Sequence, residues 1–307
     1  MRILILTDGS RRSEKAVRFS KPIARAMAAE VTILGAKRRP GPGGGLREAL
    51  VKAQEILAED DVMARTLLRP GLPHHELLRE TRSGKYDLLV AGSLGCRGLT
   101  RLLFGNRSDY RIIRRLEIPT LLARRPRKTL SKVLICNSGS GPSEAMVRFA
   151  GQIVGSVGAT TTILHVTPSL PVMYATLKGM DERLAEFLGS ATCQAQVVAK
   201  GARVLRGCGV DPQLRLRRGL VVDEILAETE EGDYDLIVVG ARPLEGCWGL
   251  LLDDVAKRVI RYAKRPVLVV KGQETKCVAL DTLTKVEQPR QGVGSSPTAT
   301  TLFASVS

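Results

Sequence analysis

The chain has 307 residues, of which 44% are hydrophobic and 25% are charged. This length suits two domains of about 150 residues, and the composition excludes a mainly disordered chain, a collagen-like fibre and a disulfide-stapled miniprotein. The net charge of +16 is concentrated in residues 1–127, which hold 26 basic and 13 acidic residues. No apolar run is long enough to span a membrane or to serve as a secretory signal, so we expect a soluble cytoplasmic protein.

The first half of the chain predicts alternating strands and helices. Short apolar runs predict the strands, and apolar side chains at spacings of three and four residues predict the helices. Ser10 and Ser13 are equally good candidates for the N-cap of the first helix. The predicted strands are residues 3–6, 31–34, 65–68, 87–91 and 120–123, and the predicted helices include 46–64 and one that starts near Pro73.

The second half repeats this order. Its start matches the first half at an offset of 130 residues and its later part at 148, with 12 identities among the 22 positions of 71–92. The difference predicts extra chain at roughly 168–200. The predicted strands are residues 133–136, 162–166, 213–217, 235–239 and 267–270, and the predicted helices include 178–208 and one near Val222.

Strands that alternate with helices, some of them almost continuously apolar, favour a parallel sheet covered on both faces. We therefore predict two tandem α/β domains, residues 1–127 and 128–271. Residues 272–307 are polar and are predicted to be a disordered tail. In parallel sheets of this kind, ligands bind beyond the carboxyl ends of the strands, near the switch in strand order.

A glycine-rich stretch follows the fourth predicted strand. Gly92 and Gly95 are three positions apart, and Gly105 follows after nine further residues. Glycine lets backbone N–H groups approach an anion, and a helix predicted to begin near Asn106 would direct its positive end there. The alternative is that these glycines only form a turn. The same stretch carries three basic residues, Arg97, Arg101 and Arg107.

The pattern Gly-x2-Gly-x9-Gly-(Ser/Thr) resembles the nucleotide-binding signature of the universal stress protein family. The turn Asp8-Gly9-Ser10 and the run Ile118-Pro119-Thr120 are also similar to that family, and the resemblance covers about residues 1–271. It implies two tandem flavodoxin-like (adenine nucleotide alpha-hydrolase-like) domains, each a five-stranded parallel sheet with helices on both faces. It also implies a stress-response protein that binds ATP, with Mg²⁺, or a related adenine nucleotide.

The resemblance implies a nucleotide site in the first half, residue by residue. Asp8 would lie beside the adenosine moiety, and Ala36 would line the adenine pocket. Gly92 and Gly95 would hold ribose and phosphate. The phosphates would bind the backbone N–H groups of Gly105, Asn106 and Arg107. Asn106 replaces the usual Ser/Thr, and since Asn caps a helix as well as Ser does, we expect weaker rather than lost phosphate binding.

The second half departs from this signature. A proline in the loop removes an N–H, and two carboxylates at the expected phosphate position would repel an anion by roughly 1–4 kcal/mol per charge pair at about 4 Å. We therefore predict a structural copy that binds no ATP. The replacements are Ser138 for Asp8, Pro243 for Gly95, and Asp253-Asp254 for Gly105-Asn106.

The resemblance also implies dimerisation through the last strands. In a tandem chain, Thr120–Ala123 can pair with Val267–Val270 as an internal pseudo-dimer, which leaves a further homodimer open. We expect the occupied nucleotide site to regulate binding of a protein client, and no catalytic base or nucleophile is evident. The alternatives are a nucleotide-independent scaffold, a slow ATPase, and binding of nucleic acid or acidic lipid by the basic half. Interleaved aromatic side chains are missing, so we expect no nucleic-acid partner.

Overall fold

The computed structural model describes residues 1–37, 45–92, 112–113, 115–137, 144–167, 193–241 and 254–271. Within it, Met1–Gln273 forms one compact unit. The tail predicted at 272–307, most of the extra chain predicted at 168–200 and most of the glycine-rich stretch after Gly92 lie outside the described residues.

Each half contributes five strands from the described residues. The first half contains β1 (Arg2–Thr7), α1 (Arg11–Ala26), β2 (Glu30–Lys37), α2 (Gly45–Ala58), β3 (Ala64–Pro70), α3 (Pro73–Ser83), β4 (Leu88–Gly92) and β5 (Thr120–Ala123). The second half contains β6 (Lys132–Asn137), α4 (Glu144–Val157), β7 (Thr160–Thr167), α5 (Cys193–Gly207), β8 (Gln213–Arg218), α6 (Val221–Glu231), β9 (Leu236–Ala241), α7 (Asp254–Tyr262) and β10 (Val267–Lys271).

The ten strands form one sheet in the order β3-β2-β1-β4-β5-β10-β9-β6-β7-β8. Strand pairs within each half are parallel, and each half has its first strand at the centre, as in flavodoxin-like folds. The predicted α/β class is therefore confirmed. Between the halves, β5 and β10 are antiparallel, with Leu121 opposite Leu268.

Helices cover both faces of the sheet because the central strands are almost continuously apolar, and their successive side chains point to opposite faces. Ile3 and Ile5 belong to a core shared with α1, α2, α4 and α5, which runs through both halves. The intervening Leu4 faces the other side, where it packs in a cluster with Leu77 of α3. The helices α6 and α7 cover that side of the second half.

The predicted helix 46–64 was too long at its C-terminus, because the structure ends α2 at Ala58. Asp61 adopts a left-handed conformation with φ of 59°. This lets the Val62 N–H donate to the Leu57 carbonyl at 3.1 Å, which satisfies the helix end and redirects the chain into β3. The described part of the helix predicted at 178–208 is α5.

Candidate functional site

The strand order reverses between β1 and β4, and three of the predicted site residues lie there. Asp8 directly follows β1, Ala36 lies near the end of β2, and Gly92 ends β4. In the sheet register, Leu6 is opposite Ala91, so these strand ends meet at the carboxyl edge of the sheet. The structure therefore brings Asp8, Ala36 and Gly92 to one edge. The other predicted site residues, Gly95, Gly105, Asn106 and Arg107, lie outside the described residues.

A network of short hydrogen bonds fixes the turn after β1. Gly9 has a φ of +76°, a conformation that glycine adopts without strain. The Ser10 N–H donates to Asp8 Oδ1 at 3.0 Å, and the Ser10 hydroxyl oxygen accepts from the Ser13 N–H at 3.2 Å. Ser10, rather than Ser13, is thus the N-cap of α1. The carboxylate and the first turn of the helix are held in one rigid arrangement.

Two hydroxyl groups beneath this turn were not predicted as part of the site. The Thr7 hydroxyl donates to Ser13 Oγ at 3.0 Å, and the Ser13 hydroxyl donates to the Ser10 carbonyl at 2.8 Å. Both Thr7 and Ser13 are buried, so they support the turn from below rather than facing a ligand. The Ser-x2-Ser spacing indicated a cap but not this second layer of support.

The Asp8 carboxylate is stabilised in its ionised form. Although Asp8 lies at the surface, neighbouring protein atoms desolvate its carboxylate in part, which raises its pKa. Hydrogen bonds from Ser10 and Ser13 outweigh this effect, and the pKa lies below the ordinary value of 3.8. At neutral pH the site therefore presents a fixed hydrogen-bond acceptor with a full negative charge.

Gly92 is required by a close approach between β4 and α1. A Cβ at this position would lie 3.0 Å from both the Arg12 carbonyl oxygen and the Ser13 nitrogen. Any side chain would push the strand end away from the first turn of the helix. The first glycine of the motif thus has a packing role, and its backbone lies beside the N-terminus of α1.

Ala36 is only 6% exposed. Side chains alternate along a strand, so Ala36 is on the same face of β2 as Leu34, which packs with α3. Its neighbour Gly35 faces α2, where a Cβ would lie 3.3 Å from side-chain atoms of Leu46 and Leu50. Two small residues, Gly35 and Ala36, thus precede the exposed Lys37 that ends β2.

The second half differs at the corresponding strand ends. His165 pairs with Asn137 as Gly35 pairs with Thr7, so a buried imidazole replaces a glycine there. Cys136, at the end of the neighbouring strand β6, is also buried, and burial raises the pKa of its thiol, which keeps it neutral and unreactive. Sequence comparison missed the exchange of Gly35 for His165. Among the predicted departures of the second half, Ser138, Pro243 and Asp253 lie outside the described residues. Asp254 begins α7, but its side chain is not among those described.

In the described part of the chain, no group of three or more His, Cys, Asp or Glu side chains is placed to hold a metal ion. None of the helices in these ranges has the length and apolar character needed to cross a membrane.

Comparison with known proteins places the chain in a family. The universal stress protein family model matches residues 1–124 and 129–271. A universal stress protein of Methanocaldococcus jannaschii is 30% identical over 140 residues, which span 46% of this chain and 81% of that relative. The crystal structure of a universal stress protein from Archaeoglobus fulgidus DSM 4304 matches 88% of this chain and 98% of its own, with 17% identity and a TM-score of 0.62.

A second solved universal stress protein from Archaeoglobus fulgidus is a complex with dAMP. It covers 47% of this chain and 98% of its own, with 23% identity and a TM-score of 0.33. The family model, in contrast, matches both halves in turn. The chain therefore belongs to the universal stress protein family and carries two copies of the family's domain.

Proposed function

We propose that the first half, residues 1–127, binds an adenine nucleotide and that occupancy of this site regulates binding of a protein partner in a stress response. The observation that carries the proposal is the position of Asp8 beside the switch in strand order, with Gly92 against the first turn of α1. An ionised carboxylate held by the turn can accept hydrogen bonds from ribose hydroxyl groups. Ala36, a small residue near the end of β2, would line the pocket for the adenine base.

The glycine motif supports the phosphate end of the same ligand. Gly92 starts it at the described edge of the sheet, and Gly95, Gly105, Asn106 and Arg107 continue it along the chain. Backbone N–H groups of such glycines, together with a helix N-terminus, favour phosphate. ATP with Mg²⁺ is our first candidate ligand, and AMP and cyclic AMP share the adenosine part.

We propose that the second half, residues 128–271, is a structural copy without a nucleotide. In the described residues, His165 and Cys136 occupy its strand ends, where the first half has Gly35 and Leu6. The antiparallel pairing of β5 with β10 supports an internal pseudo-dimer, since the last strand of each half pairs with the last strand of the other and neither is an open edge.

Calorimetric titration of the full chain with ATP, ADP, AMP and cyclic AMP, with and without Mg²⁺, tests the proposal. We expect one site per chain. Asp8→Asn should weaken binding at least about tenfold, because it keeps the hydrogen bond to Ser10 but removes the charge. Gly105→Asp, which copies the second half, should abolish binding. Ser138→Ala is the matched control in the second half and should bind as the wild type does.

Four outcomes would contradict the proposal. Two sites per chain would show that the second half binds as well. Unchanged affinity in Asp8→Asn and Gly105→Asp would place the nucleotide elsewhere. Absence of binding for all four nucleotides, with the fold intact by circular dichroism, would favour the scaffold alternative. Release of labelled phosphate from ATP at a rate lost in Asp8→Asn would favour the slow ATPase.

A further inference from the structure

We propose that the chain has a second anion site, distinct from the nucleotide site, in a basic cavity between its two halves. The cavity has a volume of about 440 Å³, which is within the range of small-molecule sites. Five cationic side chains line it: Arg12, Lys15, Arg124, Arg125 and Lys264. The ligand class that fits is a small polyanion with several phosphate groups.

The sheet topology brings these cations together from distant parts of the chain. Because β5 and β10 are antiparallel, the carboxyl end of β5 meets the amino end of β10, and Leu122 is opposite Val267. Arg124 and Arg125 follow β5, and Lys264 precedes β10. The first turn of α1 lies against the neighbouring strand end at Gly92, and the start of this helix adds the remaining two cations, Arg12 and Lys15. Six of the eight lining residues belong to the first half, and Ala263 and Lys264 of the second half complete the cavity.

The charged side chains that line the cavity are all cationic. None of the lining residues that the structure describes is acidic, and the three uncharged ones are two alanines and a proline. Ala123 and Ala263 are both buried, so the walls between the cations are short and apolar. Cationic side chains that share a cavity attract an anion jointly. The positive end of α1, a helix of 16 residues, adds to the same field.

Contacts outside the cavity hold two of the cations in place. Arg124 Nη1 donates to the Arg261 carbonyl at 3.3 Å, which fixes the guanidinium at the wall. Lys264 Nζ donates to Glu230 at 2.7 Å, and both of these side chains are exposed to solvent. Arg and Lys together suit phosphate oxygens, since a guanidinium binds two of them and an ammonium adds a point charge.

The shape and composition of the cavity favour a small soluble ligand over nucleic acid or membrane. The cations line a pocket between the halves rather than a flat face. No aromatic side chain is among the described lining residues, so nothing there would stack on a base. Asp8 and Ala36, which belong to the nucleotide proposal, do not line it either.

The test uses the full chain and sodium tripolyphosphate as the probe, titrated by calorimetry at low and at physiological salt. We expect saturable binding that weakens with salt, because screening reduces the attraction. The variant Lys15→Glu/Arg125→Glu should weaken binding by about tenfold or more. The control Lys85→Glu/Arg203→Glu changes the net charge equally, at exposed positions outside the cavity, and should stay within about twofold of the wild type.

Four results would overturn the proposal. Equal weakening in both double variants would mean attraction to the overall positive charge only. If saturating ATP displaces tripolyphosphate, and if Gly105→Asp abolishes tripolyphosphate binding, tripolyphosphate occupies the nucleotide site. Binding of duplex DNA, or of phosphatidylserine vesicles, without binding of tripolyphosphate would mean a different ligand class. If the charge reversals unfold the chain, Lys15→Gln/Arg125→Gln provides the same comparison, and unchanged affinity there would overturn the proposal too.

Discussion

The Tyr86 hydroxyl donates a hydrogen bond of 2.8 Å to the Glu80 carboxylate, at the base of the first half. The same contact recurs 148 residues later, where Tyr234 donates to Glu228 at 3.0 Å. Glu80 and Glu228 are both buried, and each also pairs with an arginine of the neighbouring edge strand. A buried carboxylate depends on such partners. Both halves keep this arrangement, although their loops have diverged.

Removing either tyrosine hydroxyl should destabilise the chain. We expect Tyr86→Phe and Tyr234→Phe each to lower the free energy of unfolding by about 1–2 kcal/mol, because one acceptor of a buried carboxylate loses its donor. Urea denaturation measures the effect. Tyr262→Phe is the control, since Tyr262 is 53% exposed and should change stability by less than about 0.5 kcal/mol. If all three variants lost the same free energy of unfolding, the buried Tyr–Glu hydrogen bonds would not be the cause.

A second pair of equivalent residues, Asp87 and Asp235, differs in burial and in hydrogen-bond partners. Asp235 is buried and accepts from the backbone N–H groups of Ser131 and Lys132 at 2.9 and 3.0 Å, and from Arg127 at 3.3 Å. Its counterpart Asp87 is exposed and accepts from the Arg2 N–H at 2.7 Å. Asp235 thus anchors the segment that connects the two halves, whereas Asp87 anchors only the start of β1.

The two aspartates should therefore respond differently to truncation. We expect Asp235→Ala to lower the free energy of unfolding by about 2–4 kcal/mol, because it removes a buried carboxylate that accepts hydrogen bonds from two backbone N–H groups and from Arg127. Asp87→Ala should lower it by about 1 kcal/mol, because water can reach the freed N–H group. Thermal and urea denaturation of both variants give the comparison. Equal effects, or a larger effect for Asp87→Ala, would show that burial does not set the size of the loss.

Much of the fold could be predicted from the sequence because the chain contains it twice. Each strand of the first half has an apolar counterpart in the second, and the repeat of Gly71–Gly92 at 219–240 aligned the two sets of elements. Boundaries were less accurate. The end of α2 depends on the left-handed conformation of Asp61, an aspartate that periodicity could not distinguish from an exposed helical residue.

The site was predictable only in part, because its details depend on contacts between distant residues. Sequence spacing could not decide between Ser10 and Ser13 as the cap. That choice follows from the turn at Gly9 and from the burial of Ser13 under it. The close approach of Gly92 to α1 and the cavity between Lys15 and Lys264 arise from strand pairing across the whole sheet.

The close approach at Gly92 predicts a large effect of one added methyl group. Gly92→Ala should lower the free energy of unfolding by about 1–3 kcal/mol, because its Cβ would meet backbone atoms that cannot rotate away. It should also weaken nucleotide binding, since Asp8 and the strand end would move apart. Denaturation and the ATP titration measure the two effects.

Gly45→Ala is the matched control for that substitution. Gly45 begins α2, and a Cβ there would have nothing within 4 Å. Alanine is the better helix former, so this variant should be as stable as the wild type or more stable by up to about 1 kcal/mol. A loss of stability in Gly45→Ala equal to that in Gly92→Ala would show that close packing is not the cause.

Lys271, at the end of β10, connects the two halves through a hydrogen bond. Its titration predicts that folding stability depends on pH. Its ammonium donates to the Leu116 carbonyl of the first half. Burial lowers its pKa from 10.5 to about 8, although the nearby Glu117 opposes this shift. Between these pH values the unfolded chain binds more protons at Lys271 than the folded chain does, so folding stability contributed by this residue rises with pH.

The variant Lys271→Met removes this titration and keeps an apolar side chain of similar length. Urea denaturation of both proteins at pH 7, 8, 9 and 10 gives the difference in free energy of unfolding between wild type and variant. Other groups, including Tyr234, titrate in both proteins, so they largely cancel in the difference. We expect the wild type to gain stability relative to the variant as pH rises above about 8. Parallel stability curves across this range would show that Lys271 stays charged in the folded chain.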